Sequence, residues 1–356
     1  MRERSPNNSS SAASCPVPSA TDGERILLAH GEGGRLTRRL IEQRILPQLN
    51  NDLLASLGDA ARLPRADGEL AFTTDSYVVS PLFFPGGDIG SLAVFGTAND
   101  LAVAGARPSW LSLSLIIEEG LPLEVLDRVL ESIARAADRA NLTVATGDTK
   151  VVPRGAADGL FINTAGIGQL IEPVPPGPDA LTPGDELIVS GPIGRHGIAV
   201  LSAREKLALE PPPQSDSAPL IDAVGSLRRA GVAVRAMRDA TRGGVAAVLH
   251  EWAAASGLTL SIDEHAVPVS DDVRGACELL GLDPLHVANE GTMVVAVAEG
   301  AAAAAVAALR EVAETSAAAT VGRVAKRGIA PVTALRTLGV EQPVDEPPGA
   351  PFPRIC

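Results

Sequence analysis

The sequence predicts an α/β protein of two domains followed by a flexible tail, and three observations predict it. β-Branched and aromatic runs alternate with helical patterns along most of the chain. A proline-rich run, Glu172–Pro178, interrupts that alternation near the middle. The 356 residues, 46% of them hydrophobic, suit two cores rather than one. The expected boundaries are a disordered extension over 1–24, domains over 25–172 and 173–338, and a tail over 339–356.

The first residues are rich in Ser, Asn, Ala and Pro and lack the apolar core of a signal peptide. Ile26-Leu27-Leu28-Ala29-His30-Gly31-Glu32-Gly33-Gly34 then opens a helical pattern over Leu36–Leu49. Its glycines let backbone N–H groups converge on an anion at a helix start, or they serve as a hinge. Leu70–Val79 reads as a strand that contains Asp75. Pro85-Gly86-Gly87-Asp88 forms a turn and cap for a helix over Ile89–Ala104, stopped by Gly105 and Pro108. Asn99 and Asp100 are the polar residues in that apolar helix. Trp110–Ile117 is a strand and Pro122–Ala140 an amphipathic helix. Leu142–Val152 reads as a strand broken by a turn at Gly147-Asp148-Thr149-Lys150. Gly159–Gly168 is a further strand, in which Gly166 and Gly168 mark bulges or close backbone approaches.

In the second half, Asp185–Ser190 is a strand and Gly191–Gly197 a glycine-rich turn into a helix. Pro211–Pro213 marks a loop. Val234–Arg238 leads into Asp239-Ala240-Thr241-Arg242-Gly243-Gly244, followed by a helix over Val245–Ser256 that Gly257 ends. A strand over Leu258–Ile262, a helix over Asp271–Leu280, Asn289-Glu290-Gly291, a strand over Thr292–Val297 and an alanine-rich helix over Ala301–Thr315 complete the domain. Gly339–Ala350 reads as polyproline II, unable to form helix or strand. With the final six residues it reaches on the order of 50 Å. Cys356 closes the chain where no neighbour is expected to bury its thiol, so the end is a reactive arm or a frayed terminus.

A net charge of −13 argues against nucleic acid and anionic membranes as partners. No apolar run approaches the ~20 residues of a membrane span. Cys15, Cys277 and Cys356 make neither a disulfide framework nor a paired-cysteine metal site, which favours a reducing cytoplasm.

Two groupings carry chemistry. Asp75, Asp100 and Asp148, with Asn99, Thr149 and Lys150 beside them, suit Mg²⁺ bound between a few carboxylates and nucleotide phosphates. Lys150 would add the positive charge that phosphoryl transfer requires. Taken singly, each Asp reads as a turn or cap residue. Asp239, Thr241, Arg242 and Gly243 at a helix start form either an oxyanion site or an ordinary N-cap. His196, His250, His265 and His286 read as core or surface residues, and Cys277, Trp110 and Trp252 as packing.

Several motifs occur together and in order: His30-Gly31-x-Gly33-Gly34, Thr74-Asp75-Ser76-Tyr77, Asn99-Asp100-Leu101-Ala102, Thr146-Gly147-Asp148-Thr149-Lys150, Arg238-Asp239-Ala240-Thr241-Arg242-Gly243-Gly244, Ala288-Asn289-Glu290-Gly291 and the terminal Pro353-Arg354-Ile355-Cys356. From about residue 26 to 356 the chain resembles the HypE family of hydrogenase maturation proteins, within the AIR synthase-like superfamily. The resemblance implies an AIR synthase-like fold, with an N-terminal mixed-sheet ATP-binding domain and a C-terminal α/β domain, in a homodimer. It implies an ATP-dependent dehydratase acting on its own C-terminus. HypF, a carbamoyltransferase, would load Cys356; the S-carbamoyl group would become S-cyanate; and cyanide would pass to iron on a HypC–HypD complex for [NiFe] hydrogenase. By the same resemblance Asp75, Asn99, Asp100, Asp148 and Thr149, with Gly33 and Gly34, hold the nucleotide. Asp75, Asp100 and Asp148 hold Mg²⁺. Lys150 acts on the phosphoryl group or carbamoyl oxygen, Glu290 is the base, and Asp239, Thr241, Arg242 and Gly243 hold an oxyanion or the tail. Two alternatives stand beside it. A small-molecule kinase or ligase of the same superfamily (selenophosphate synthetase or thiamine-phosphate kinase type) has no use for a terminal cysteine. A non-catalytic scaffold would dock iron through the thiol.

Overall fold

The computed structural model describes residues 25–336, 339–347, 349 and 354–356. The expected extension over 1–24, with Cys15, lies outside the described residues. In place of one regular helix over 36–49 there are α1 (Gly34–Leu40), a π-helical turn (Ile41–Ile45) and α2 (Leu46–Leu49). Pro47 explains the irregularity, since it has no N–H to offer the carbonyl of Gln43.

The first sheet contains β1 (Leu70–Tyr77), β4 (Ala106–Glu118), β5 (Thr143–Val152) and β6 (Leu160–Leu170), in the order β1-β6-β4-β5. A two-residue hairpin, β2 (Phe83–Phe84) and β3 (Gly87–Asp88), precedes α3 (Ile89–Val103). Asp88 caps α3 by accepting from the N–H groups of Gly90 and Ser91. Helix α4 (Leu123–Arg139) is the crossover that makes β4 and β5 parallel; the other pairs are antiparallel. Strand β5 is continuous, which corrects the turn expected at Gly147–Lys150. Glycine is needed at 147 for approach rather than reversal, because a Cβ there would lie 2.5 Å from the Leu113 carbonyl oxygen. The irregularity in this pair is a slip of one residue between Leu111 and Ser112, which leaves Ala145 without a partner. Gly166 and Gly168 are close approaches, to Thr97 and to the backbone of Arg107.

Helices α3 and α4 cover one face of this sheet. The opposite face is open and apolar: Phe72 is 70% exposed and Leu70 51%, with Trp110, Phe161 and Ile167 half-buried on the same side.

The second sheet has the order β13-β12-β9-β11-β7-β10-β8. In chain order its domain runs β7 (Glu186–Val189), α5 (Arg195–Glu205), α6 (Ile221–Arg229), β8 (Val234–Asp239), α7 (Gly244–Ser256), β9 (Thr259–Asp263), α8 (Asp271–Leu280), β10 (Met293–Val297), α9 (Ala302–Arg310), β11 (Ala319–Ala325), β12 (Val332–Arg336) and β13 (Val340–Pro343). β10 reads Met-Val-Val-Ala-Val and is buried on both faces, with α7 on one side and α6 and α9 on the other. Among the described residues no helix is long and apolar enough to cross a membrane.

The tail begins differently from expectation. Val340–Pro343 pairs antiparallel with β12, in a register from Thr333 opposite Pro343 to Arg336 opposite Val340. Proline is tolerated because β13 is the sheet edge. Beyond it, His250 Nε2 donates to the Val344 carbonyl (3.0 Å) and His286 Nε2 to that of Asp345 (2.9 Å). Both histidines therefore hold the tail. The tail is thus attached to the second domain as far as residue 345.

Candidate active site

The chain end returns to the molecule. Arg354–Cys356 lies alongside Val78–Ser80: the Val78 N–H donates to a Cys356 carboxylate oxygen (3.2 Å) and the Ser80 N–H to the Arg354 carbonyl (3.4 Å). His196 Nε2 donates to the Ile355 carbonyl (3.0 Å). Arg204 donates to the carbonyls of Ser80 (2.8 Å) and Arg354. Arg354 pairs with Asp158 (2.7 Å) and donates to the Val78 carbonyl (3.2 Å). Ile355 is buried and Cys356 packs against the N-terminal core. The thiol is thus not free of neighbours, as its position in the sequence suggested. Burial first and then Glu290 push it up to about 12, with Arg242 opposing the shift. A docked, unmodified Cys356 is therefore a thiol rather than a nucleophilic thiolate.

Five carboxyl groups from both domains surround this end of the tail. Glu290 is buried, and its Oε1 has no hydrogen-bond partner among the described residues. Burial first, then Asp239, Asp216, Asp75 and Asp100, hold its carboxyl well above the usual range. Asp239, the last residue of β8, is raised to about 7 by burial and then by Asp100, against Arg238. Burial raises Asp100 on α3, although the Thr73 hydroxyl donates to it (2.9 Å). Asp216 accepts from the N–H groups of Glu290 (3.1 Å) and Gly291 (3.0 Å) and from the Thr292 hydroxyl (2.9 Å). It fixes the backbone that presents Glu290. Only glycine fits at 291, where a Cβ would lie 1.9 Å from the Asp216 carbonyl oxygen.

Asn99 stands in this cleft. Its amide donates to the carbonyls of Ala218 (3.0 Å) and Glu290 (3.3 Å) and accepts from the Leu220 N–H (2.8 Å). Those bonds tie α3 to the second domain. They use the side chain that was expected to bind nucleotide. Thr241 and Arg242 precede α7, whose N-cap Gly243 has φ +81°, and Pro347 of the tail passes over Gly243.

The remaining predicted residues lie elsewhere on the same chain. Asp148, Thr149 and Lys150 are on β5, at the opposite edge of the sheet from Asp75 on β1. Three strand spacings separate the edges, about 14 Å. The register aligns Asp148 with Ser114, Asn163 and Ser76 on the open face, whereas Asp75 shares a face with Thr73 and α3. The expected Mg²⁺ set of Asp75, Asp100 and Asp148 is therefore not assembled within one chain. Among the described residues no three-ligand metal group occurs. The glycine loop lies with β5: a Cβ on Gly31 would meet the Val151 nitrogen at 2.3 Å, and Gly33 and Gly34 follow with φ of +83° and +81°. A cavity of about 150 Å³ between the first helices and β4–β5 has Asp148 and Thr149 in its wall. The predicted residues thus fall into two separate groups on one chain.

Sequence reasoning missed Asp216 and Arg204 and dismissed His196. Asp216 sits between two serines after a proline run, with no pattern around it. His196 was hidden in a glycine-rich turn.

Models for AIR synthase related proteins match the chain, the N-terminal domain over residues 57–170 and the C-terminal domain over 182–333. These matches and the two-domain fold define an AIR synthase-related protein. A relative from Escherichia coli K12, carbamoyl dehydratase HypE, is 49% identical over 336 residues, covering 93% of this chain and 99% of its own. The crystal structure of a hydrogenase maturation protein HypE in complex with ATP is 44% identical, with a TM-score of 0.87, covering 93% of this chain and 99% of that one. A HypE–HypF complex is 43% identical with a TM-score of 0.76, covering 86% and 99%. Thiamine monophosphate kinase from Aquifex aeolicus, 21% identical with a TM-score of 0.57, shares the fold alone. The chain belongs to the HypE family.

The carboxylate cluster has a measurable pH signature. Asp239 binds its proton more tightly in the fold, at about 7, than in the unfolded chain, at 3.8. The folded state then holds more protons between roughly pH 4 and 7, so its stability falls as pH rises through that window. Asp239→Asn removes the penalty. The variant is expected to exceed the wild type in denaturant stability by on the order of 1–3 kcal/mol at pH 8 and by nothing near pH 4. A difference independent of pH would contradict the assignment.

Proposed function

We propose that this protein is an ATP-dependent carbamoyl dehydratase that converts an S-carbamoyl group on its own Cys356 into S-cyanate. The observation that supports this best is the unpartnered Oε1 of buried Glu290 beside the docked chain end. A carbamoyl group on the sulfur carries the N–H donors that such an oxygen lacks. The family relatives support the reading through their name and their ATP complex.

The chemistry fits this chain's residues. A thiocarbamate, S–C(=O)–NH₂, must lose its oxygen and two nitrogen protons to become S–C≡N. Amide oxygen is a poor leaving group, and transfer of the γ-phosphoryl of ATP lets it depart as phosphate. The balance is S-carbamoyl plus ATP giving S-cyanate, ADP and phosphate. Glu290, with its raised proton affinity, accepts a nitrogen proton once the surrounding negative charge is countered. Arg242 supplies part of that counter-charge beside the sulfur.

Asp75 and Asp100 are hard oxygen donors that fit Mg²⁺ shared with nucleotide phosphates; bound there, the ion would neutralise charge on both. Asp148, Thr149, Lys150, Gly33 and Gly34 form the second group. We assign them to nucleotide binding in a homodimer built on the open sheet face. Two such faces packed about a two-fold axis lay the β5 edge of one copy alongside the β1 edge of the other. HypF is the donor partner on the precedent of the relative's complex. A HypC–HypD complex is the proposed cyanide acceptor, and a reducing cytoplasm keeps Cys356 free. A small-molecule kinase would gain nothing from docking its own C-terminal thiol, and a scaffold would not need ATP.

In the tested reaction, Glu290→Gln is expected to leave Cys356 carbamoylated by HypF but to slow its ATP-dependent dehydration by about 10²-fold or more. Normal cyanation by this variant would remove Glu290 from the mechanism. For the dimer, Phe72→Glu is expected to sediment as a monomer and to lose dehydration while retaining a folded circular dichroism spectrum. A fully active monomer would show that one chain is sufficient.

A further inference from the structure

We propose that His196 sets the register in which the tail docks, and so is the positioning residue that brings Cys356, rather than a neighbour, to Glu290. Each of the last three residues is met by a donor: Ser80 N–H, with Arg204 beside it, for the Arg354 carbonyl, His196 Nε2 for that of Ile355, and Val78 N–H for the Cys356 carboxylate. The two backbone donors are two residues apart on one extended segment. They accept any extended peptide, including one displaced along the groove. The Ile355 carbonyl points to the other side, where His196 is the side chain among the described residues that donates to it. A slip of one residue would move the tail by about 3.3 Å and turn the cysteine to the opposite face.

His196 is itself held in place. It lies in the first turn of α5, fully buried, with its ring edge-on to Phe84 at 5.3 Å. A carbonyl can only accept, so Nε2 carries the proton, and in the neutral ring Nδ1 accepts from the Ser215 hydroxyl at 2.9 Å. Burial lowers the proton affinity of the ring and favours that neutral form. Ser215 also receives the Ser217 N–H (3.1 Å), and Asp216 between them holds the backbone of Glu290 and Gly291. One three-residue segment therefore supports both the group that reads the tail and the backbone that carries the base.

The inference rests on the dehydratase reading for its consequence but is tested partly without it. In the full chain, His196→Ala is compared with His196→Gln, whose amide retains a donor. The first readout is the rate at which iodoacetamide alkylates Cys356, followed by the mass of the C-terminal peptide, with no ATP or HypF present. The second is ATP-dependent dehydration after carbamoylation by HypF, with ATP affinity and thermal midpoint measured alongside. His196→Ala is expected to be alkylated about tenfold faster and to dehydrate about tenfold more slowly, the worth of one lost hydrogen bond. ATP affinity should not change, and His196→Gln should move both rates back toward wild type. A Cys356 as protected in His196→Ala as in the wild type overturns the proposal. So does a loss of protection, ATP binding and thermal stability together that His196→Gln does not relieve. If alkylation shifts as expected while even the wild type fails to dehydrate its tail, the register stands and the dehydratase reading falls.

Discussion

Like charges gathered in a buried cleft are the constraint on which this molecule depends. Asp75 and Asp100 come from the first domain and Asp216, Asp239 and Glu290 from the second, and burial raises the proton affinity of Asp100, Asp239 and Glu290. Left alone, such a cluster drives the domains apart or protonates. Asn99 opposes separation by bonding across the cleft to Ala218, Leu220 and Glu290, and Arg228 adds bonds to Gly105 and Ile171. The cleft is thus held in a state that favours cations and proton-rich groups. A carbamoyl amide and a metal-bound nucleotide answer both needs.

The thiol obeys the same electrostatics. Docked without its carbamoyl group, Cys356 is buried beside Glu290 and resists ionisation. Attack on a carbamoyl donor requires thiolate, which the exposed tail forms more readily. The docked position is therefore a poor one from which the bare thiol could attack. β13 and the carbonyl bonds from His250 and His286 attach the start of the tail to the second domain.

Much of the fold was legible in the sequence because its signals were local. β-Branched, aromatic and apolar runs gave β1, β6 and β10, and apolar periodicity with capping residues gave α3, α4 and α7. The errors arose where a local signal had a long-range cause. Gly147 resembled a turn residue, yet it is glycine because Leu113 of a neighbouring strand passes over it. Val340–Pro343 lacked strand character until β12 offered an edge. Asp75 and Glu290 were identifiable from their motifs. That Asp148 and Lys150 occupy another edge and another face follows from strand order, which no motif encodes. Asp216 and His196 escaped notice because each acts through a backbone group that the sequence brings near only by folding.

The most direct test of the account follows the mass of the C-terminal peptide after the protein is incubated with HypF and carbamoyl phosphate, with and without ATP present in the final step. The account predicts a carbamoyl adduct confined to Cys356 that loses one water only when ATP is supplied. A tail that stays carbamoylated with ATP present, or an unmodified Cys356 beside a demonstrably active HypF, would contradict it.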